Sequence, residues 1–407
     1  MEISTQYTSG IRVLHIAVAA ITDKFYDTFF LKQLEEGIDI SAVFIPYSSS
    51  LYKEENLERF KYYDSKVPVV LSPIKTNLDR IMYFSKIRKY AQYCESSIKL
   101  ISCNLIHAHH LYSDGGVAYL LHKKYKIPYI VSVRTTDTEY FLKYFVHTKK
   151  FIYRVLESAE QVVCINPMIK EKLLERIKEN SVREMVEKKL VVIPNGMDDF
   201  WIENIHYKQV NHLPKLKLIQ VGTLTARKNH KCTIAAVKKL FDRGYEVELD
   251  IVGDGEERNA LKKLCEINNL QDRVRFHGFI IDKQKLLDFY READFFILPS
   301  FTETFGIAYI EAMSQGLPVV YTRYQGIDGY YQELEVGAHI DANSPDSVAE
   351  AIIELSKNYM ETSFRCSNKA SDFKWKDIVL EYKEMYSRAI IRNTTTNVDR
   401  GYKNENC

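Results

Sequence analysis

Short apolar runs alternate along the chain with longer stretches in which apolar residues recur at helical spacing. Runs of strand length fall at 12–18, 40–45, 67–71, 105–108, 129–133, 161–165 and 191–193 in the first half. In the second half they fall at 217–221, 248–252, 274–276, 295–298, 318–321 and 337–340. Amphipathic stretches such as 78–98 and 113–124 lie between them. Such alternation predicts parallel sheets flanked by helices. One segment interrupts the rhythm: Pro194-Asn195-Gly196-Met197-Asp198 ends a strand, and a polar, irregular stretch follows as far as Pro214. A domain boundary is therefore expected near 200–213, giving domains at 1–205 and 206–372. A last helix at 373–391 precedes a polar tail, 392–407, that holds a Thr triplet, has no periodicity and is expected to be disordered. There are no internal repeats at solenoid periods.

Composition narrows the class. With 407 residues, 46% hydrophobic and 27% charged, each domain can bury a full core. The net charge is only +2, from 56 Lys+Arg against 54 Asp+Glu. That balance excludes a nucleic-acid binder held by bulk charge, and it excludes a disordered chain. The run 13–21, interrupted by His15, is far short of the ~20 residues of a membrane span and lacks a signal-peptide pattern. Seven scattered cysteines without a C-x-x-C pair point to reduced thiols. A cytoplasmic protein is expected, with room for weak peripheral contact at the inner face of a membrane. The stretch 170–189 interleaves acids and bases, as in Lys170-Glu171-Lys172, and is expected to be a solvated helix. Its acids cancel much of the charge that a membrane-facing helix would need.

Two constellations carry chemistry. In the first, an apolar strand runs into Gly222-Thr223-Leu-Thr-Ala-Arg227-Lys228-Asn229, and a helix is expected from about residue 230. A strand–loop–helix turn offers free N–H groups and the positive end of the helix dipole to an anion. Arg227 and Lys228 add full charges, so a phosphate or diphosphate suits the loop, although an Arg-Lys pair in a loop is also an ordinary solvated feature. In the second, Pro299-Ser300-Phe-Thr-Glu303-Thr-Phe305-Gly306-Ile307 leads into a helix that contains Glu311. Glu311 stands roughly 7 Å along the helix from Gly306, so the two carboxylates can grip different hydroxyl-bearing rings of one elongated ligand. Glu303 could equally be an acid favoured at a helix entry. Glu311 sits in a stretch that looks buried and needs a partner.

These two motifs, in this order and spacing, resemble the family 4 retaining glycosyltransferases. The most specific part is P-S-x-x-E-x-F-G-x-x-x-x-E-A-M-x-x-G-x-P-V, which holds Glu303 and Glu311. Val252-Gly253-Asp254-Gly255, the segment from Val274 to Gly278-Phe279 and Pro194-Asn195-Gly196 match further landmarks. The resemblance implies an α/β protein of glycosyltransferase-B architecture, two Rossmann-like domains facing a central cleft. It implies a hexosyltransferase-type enzyme that moves a sugar, with retention, from a nucleotide-diphosphate sugar to a saccharide or lipid-linked acceptor. UDP is the expected carrier, and polysaccharide or lipopolysaccharide biosynthesis the expected setting. It implies that Lys228 holds the diphosphate, Glu311 the ribose hydroxyls and Glu303 the hydroxyls of the transferred sugar. The backbone at Phe305, Gly306 and Ile307 would lie against sugar and diphosphate, and Gly278-Phe279 would flank the base. On the acceptor side it points to His109 and Asp137. No D-x-D occurs in the chain, so no metal and no further cofactor are expected. The cations at Arg227 and Lys228 would carry the charge of the leaving group, and Glu303 would position, not transfer protons.

Three departures from the family pattern matter. Thr223 stands where an Arg usually follows the glycine of the phosphate loop, and Arg227 is expected to compensate. The segment after the first strand, Val18-Ala-Ala-Ile, has no glycine. Arg134, in Ser132-Val133-Arg134-Thr-Thr-Asp137, replaces a histidine that the family commonly places near the C6 group of the donor sugar. A guanidinium there could read a carboxylate or phosphate, or pair with Asp137 or Glu139 and only shape the pocket. His107-Ala-His109-His110 looks metal-like, but a pocket or packing role fits better. The rival readings are a nucleotide-sugar 2-epimerase of similar fold and a catalytically silent binding subunit. A dinucleotide dehydrogenase fits poorly, because Gly253-Asp254-Gly255 is not a full G-x-G-x-x-G.

Overall fold

Among the described residues, all pairing between strands is parallel and falls into two sheets. The structure, a computed structural model, describes residues 10–23, 25–48, 66–75, 82–210 and 213–404. The first sheet holds β1 (Arg12–Ile16), β2 (Asp39–Ser48), β3 (Val69–Lys75), β4 (Leu105–Ala108), β5 (Tyr129–Val133), β6 (Gln161–Cys164) and β7 (Leu190–Val192). Its order is β3-β2-β1-β4-β5-β6-β7. The second holds β8 (Leu216–Val221), β9 (Val247–Val252), β10 (Val274–Gly278), β11 (Phe295–Leu298), β12 (Val319–Thr322) and β13 (Gly337–Ile340), in the order β10-β9-β8-β11-β12-β13. Each strand-length run of the sequence falls on one of these strands. The runs are continuous, not alternating, because helices cover both faces: every residue of β5 and β11 is buried.

In each sheet the strand order reverses once, between β1 and β4 and between β8 and β11. Loops leaving neighbouring strands in opposite directions open a crevice there, the usual ligand position of such sheets.

The chain divides into two compact units. The first collects Met1–Ile165, Ile169–Ile193 and Lys376–Cys407; the second collects Asn166–Met168 and Pro194–Trp375. The second unit thus begins ahead of the 205/206 boundary expected from composition. The reason is local bonding. Met197 N–H donates to Phe373 O at 2.8 Å, Gly196 lies against the Trp375 indole, and the Trp201 ring meets Tyr290 edge-on at 5.5 Å.

The last helix spans Trp375–Asn404 and joins the first unit from Lys376. Its buried positions Ile378, Tyr382, Met385, Tyr386 and Ala389 form one helical stripe. It passes the expected end at 391, so residues 392–404 of the anticipated disordered tail are helical; residues 405–407 lie outside the described residues. Lengthening a formed helix needs no new nucleus, which lets a polar segment continue it. The helix expected at 78–98 appears as Tyr83–Ser97, with 78–81 outside the described residues. The charged stretch 170–189 forms parts of two helices, Pro167–Arg176 and Asn180–Glu187. No helix among the described residues is long and apolar enough to cross a membrane.

Candidate functional site

The second unit brings its two charged loops together at its own reversal point. β8 ends at Val221 and opens into the Gly222–Asn229 segment; β11 ends at Leu298 and opens into the segment before Gly306. Because β8 and β11 are neighbours, the loops cross-bond. Phe301 N–H donates to Arg227 O at 2.9 Å, and Arg227 Nη1 donates to Thr302 O at 2.7 Å. Lys228 Nζ donates to Glu303 Oε2 at 2.5 Å, and Arg227 Nη1 lies 3.8 Å from the same oxygen. Asn229 takes a left-handed conformation (φ 54°), and its amide donates to Pro299 O at 3.0 Å and Ala342 O at 2.8 Å. It leads into the helix His230–Asp242, whose first turn has no side-chain cap from Asn229. Glu303 is held from its other side: its N–H donates to Gln325 Oε1 at 3.1 Å, and the Asn166 amide bonds the carbonyls of Thr304 and Gly326.

Gly306 (φ 78°) starts the helix Ile307–Ser314; a Cβ there would stand 2.5 Å from the Tyr309 ring. Phe305 is buried and Ile307 exposed. Gly253 allows a close approach between the two loops, since its Cβ would lie 2.0 Å from Gly222 O. Its N–H donates to Gly278 O at 2.8 Å, which ties the Gly278-Phe279 turn to the Gly222 loop. Phe279 is 74% exposed, and Thr223 is exposed on the loop.

Glu311 lies one helix away from this cluster and has separate partners. The Tyr290 hydroxyl donates to its Oε2 at 3.4 Å, and the Trp201 side chain also bonds it. Burial outweighs both donors and pushes the carboxyl up to about 7; Asp198 adds to the rise and Lys283 opposes it.

In the first unit the reversal-point loops carry buried polar groups. Asp137 accepts from the backbone N–H groups of Arg134 (2.9 Å), Tyr112 (3.1 Å) and Leu111 (3.2 Å). Burial still pushes its carboxyl up to about 6. Arg134 is 8% exposed. Its Nε lies 3.4 Å from His109 O, and its guanidinium stands 5.6 Å from the Phe25 ring centre. The salt-bridge partners anticipated from sequence are engaged elsewhere: Asp137 with backbone, Glu139 with Lys172 at 2.6 Å and Arg176 at 3.8 Å. Among the described residues no carboxylate pairs with Arg134. The glycine-free segment after β1 forms a short 3₁₀ turn, Val18–Ile21, and Val18 N–H donates to Asp114 at 3.3 Å.

Beneath these loops, His15, His107 and His109 lie buried with a ligand atom of each within 4.8 Å of the others. Their hydrogen bonds form one continuous chain. Gln33 accepts from His15 Nε2 (3.1 Å) and donates to the Tyr386 hydroxyl (3.2 Å). His15 Nδ1 must then accept from His109 Nε2 (3.0 Å). The Tyr386 hydroxyl also bonds His107 Nδ1 (2.6 Å), and His107 Nε2 bonds the Ser132 hydroxyl (2.9 Å). Five of the six ring nitrogens are thereby used by neutral imidazoles; His109 Nδ1 is left without a partner. Burial holds all three histidines well below the usual imidazole range, His15 at about 3.

Arg227, Lys228 and Glu303 are thus gathered in one cluster, and Arg134, Asp137 and His109 in another. Sequence reasoning missed the partners. Tyr290 and Trp201 were signalled only by the requirement that a buried Glu311 be satisfied. Asn166 and Asn229 gave no signal. His15 announced itself as a histidine inside an apolar strand.

Two parallel-sheet Rossmann-like halves, each with its polar groups at the reversal point, define the architecture of glycosyltransferase-B proteins. The family described as Glycosyl transferases group 1 matches residues 202–373, and Glycosyltransferase Family 4 matches residues 34–199. The chain is thus a glycosyltransferase of this two-domain type. It is 27% identical, over 70% of its length and 76% of the relative's, to an uncharacterized glycosyltransferase of Methanocaldococcus jannaschii. It is 26% identical to the alpha-monoglucosyldiacylglycerol synthase of Streptococcus pneumoniae, over 72% and 68% of the two chains. Among solved structures, HepE of Anabaena in complex with UDP superposes with a TM-score of 0.66 at 16% identity, covering 93% of this chain and all of that one.

Proposed function

We propose that the chain is a retaining, metal-independent glycosyltransferase that takes a sugar from a UDP-linked donor and passes it to a saccharide or lipid-linked acceptor. The setting is polysaccharide or lipopolysaccharide assembly at the cytoplasmic face of the membrane. The observation that carries this reading is the cross-bonded cluster of Arg227, Lys228 and Glu303 in front of the His230–Asp242 helix. Two cations and a helix N-terminus suit a diphosphate leaving group. A carboxylate beside them suits sugar hydroxyls, and Glu311 suits the ribose. Binding of UDP by a protein of the same fold supports the choice of nucleotide. The leaving phosphate takes the acceptor proton, so neither carboxylate acts as a nucleophile. Arg134 meets an anionic group of the sugar or acceptor; the absence of an ion-paired carboxylate for it among the described residues supports that role.

The test is a thermal-shift screen of UDP, ADP and GDP, followed by donor turnover with and without acceptors. A UDP-induced rise in Tm that Lys228→Ala abolishes is expected. No response to any nucleotide would sink the reading, and sugar isomerisation without an acceptor would favour the epimerase.

A further inference from the structure

Five large apolar side chains of the first unit are exposed within two neighbouring segments. They are Met82 (56%) and Phe84 (39%) at the start of the Tyr83–Ser97 helix, and Tyr140 (50%), Tyr144 (60%) and Val146 (63%) ahead of the Lys149–Ser158 helix. Ring contacts join the two segments, in part through the buried rings of Tyr83 and Tyr112. Phe84 meets Phe151 at 5.3 Å, Phe151 meets Tyr83 at 5.9 Å, and Tyr83 meets Tyr112 at 4.5 Å. Tyr112 stacks on Phe141 at 4.3 Å, and Tyr140 joins Phe141 at 5.3 Å and Tyr144 at 5.6 Å.

The charges within these two segments have one sign. Residues 82–94 and 140–156 contain Lys86, Arg88, Lys89, Lys143, Lys149, Lys150 and Arg154, and no Asp or Glu. Of the acids that flank these stretches, Glu139 is paired with Lys172 and Arg176 and Glu95 with Lys124, while Asp79 and Glu157 lie just outside them in sequence. Lys143, Lys149, Lys150 and Arg154 have no ion pair among the described residues. The Lys143 ammonium lies 5.2 Å from the Tyr144 ring centre. The whole chain is near neutral, so this concentration is local.

We infer that this surface docks the protein on an anionic phospholipid bilayer. Tyrosine rings settle at the headgroup level, where one end is apolar and the other wet. Lysines beside them keep their stems on the apolar layer and their charge among the phosphates. Nucleic acid is the other polyanion such charge could meet, but Met82 and Val146 have no face on which a base could stack, whereas hydrocarbon accepts both. The 170–189 segment, the sequence's own candidate, interleaves acids and carries no such raft. The inference does not depend on glycosyl transfer.

The experiment is co-sedimentation of the full chain with vesicles of phosphatidylcholine alone and with added phosphatidylglycerol, at low and high salt. Binding only to the anionic vesicles, weakened by salt, is expected. Lys149→Glu with Lys150→Glu should lower the partition coefficient by about thirtyfold or more, the combined share of two surface lysines. Tyr144→Ser with Val146→Ser should lower it roughly tenfold. Both variants should keep the parent melting temperature, since Lys150, Tyr144 and Val146 are exposed and Lys149 is only half-buried. Equal binding to both vesicle types, or either variant binding as the parent does while folded, overturns the inference. So does retention of an oligonucleotide, lost in the lysine variant, when neither vesicle is bound.

Discussion

Glu303 shares one oxygen with two cations, while Glu311 faces two neutral donors, and this difference separates their roles. A diphosphate that takes Lys228 must compete with Glu303 for the same ammonium. Glu303→Gln is therefore expected to tighten UDP several-fold while reducing sugar transfer by at least a hundredfold; calorimetric titration beside donor turnover reads both. Glu311 behaves differently because its folded carboxyl binds a proton near pH 7 and its unfolded one near the ordinary glutamate value. The folded state holds the extra proton between those values, so stability falls as pH rises from about 4.5 through 7. Glu311→Gln should remove up to about 3 kcal/mol of that loss, raising Tm at alkaline pH while weakening UDP. On the proposed role of Glu311 at the ribose, UDP affinity of the parent should rise through pH 7 as its carboxylate forms. For Arg134, a donor carrying a uronic acid should be preferred over its neutral parent sugar, and Arg134→Met should erase a ten- to hundredfold preference. Equal use of both donors by the parent would leave Arg134 a structural role.

The elements were easier to read than the bonds that join them. The strand runs are legible because parallel strands buried on both faces cannot hide their apolar character. The Gly222 and Glu303 loops were legible because each followed such a run. Asn229 was not, since nothing local distinguishes an asparagine in a left-handed turn from a solvated one. Its two bonds reach Pro299 and Ala342, whose nearness follows from sheet order, and sheet order is not written in any one segment. Asn229→Ala should destabilise the second unit by about 2–3 kcal/mol in urea unfolding, from two orphaned carbonyls and a strained backbone. Tyr386→Phe tests the histidine chain in the same way. It leaves the Gln33 amide and His107 Nδ1 without their partner, at a cost of about 1–3 kcal/mol.

For the whole molecule, buried groups impose opposing pH demands. The neutral histidines of the first unit must be protonated on unfolding in acid. Their folded values lie below the ordinary imidazole value, so stability is complete above about 6.5 and is lost as pH falls. His15 alone accounts for about 2 kcal/mol by about pH 5. Glu311, Asp137 and Asp114 have raised folded values and oppose this by losing stability as pH rises, Glu311 from about 4.5 through 7 and Asp137 from about 3.8 to 6. Tm should therefore peak between about pH 6 and 7; Glu311→Gln should remove a fall that runs from about pH 4.5 through 7, steepening the acid limb and raising Tm above pH 7, and a scan of Tm against pH checks both limbs. The two-sheet plan was legible from alternation and length together. The interleaving of the units was not. Residues 194–205 look like a linker in composition, yet their bonds to Phe373, Trp375 and Tyr290 assign them to the second unit.

The contribution of the last helix to the first unit also sets an order of events during synthesis. His107 waits for Tyr386, which follows 279 positions later. At roughly 5–20 residues per second that delay is about 15–55 s. The second unit, almost wholly one stretch of chain, has all its strands out of the ribosome before then. The usual sequence of domain completion is thus inverted, and the N-terminal half emerges first but closes last. During that interval its polar histidine core stands open, so this half is where a chaperone holding the nascent chain would be needed.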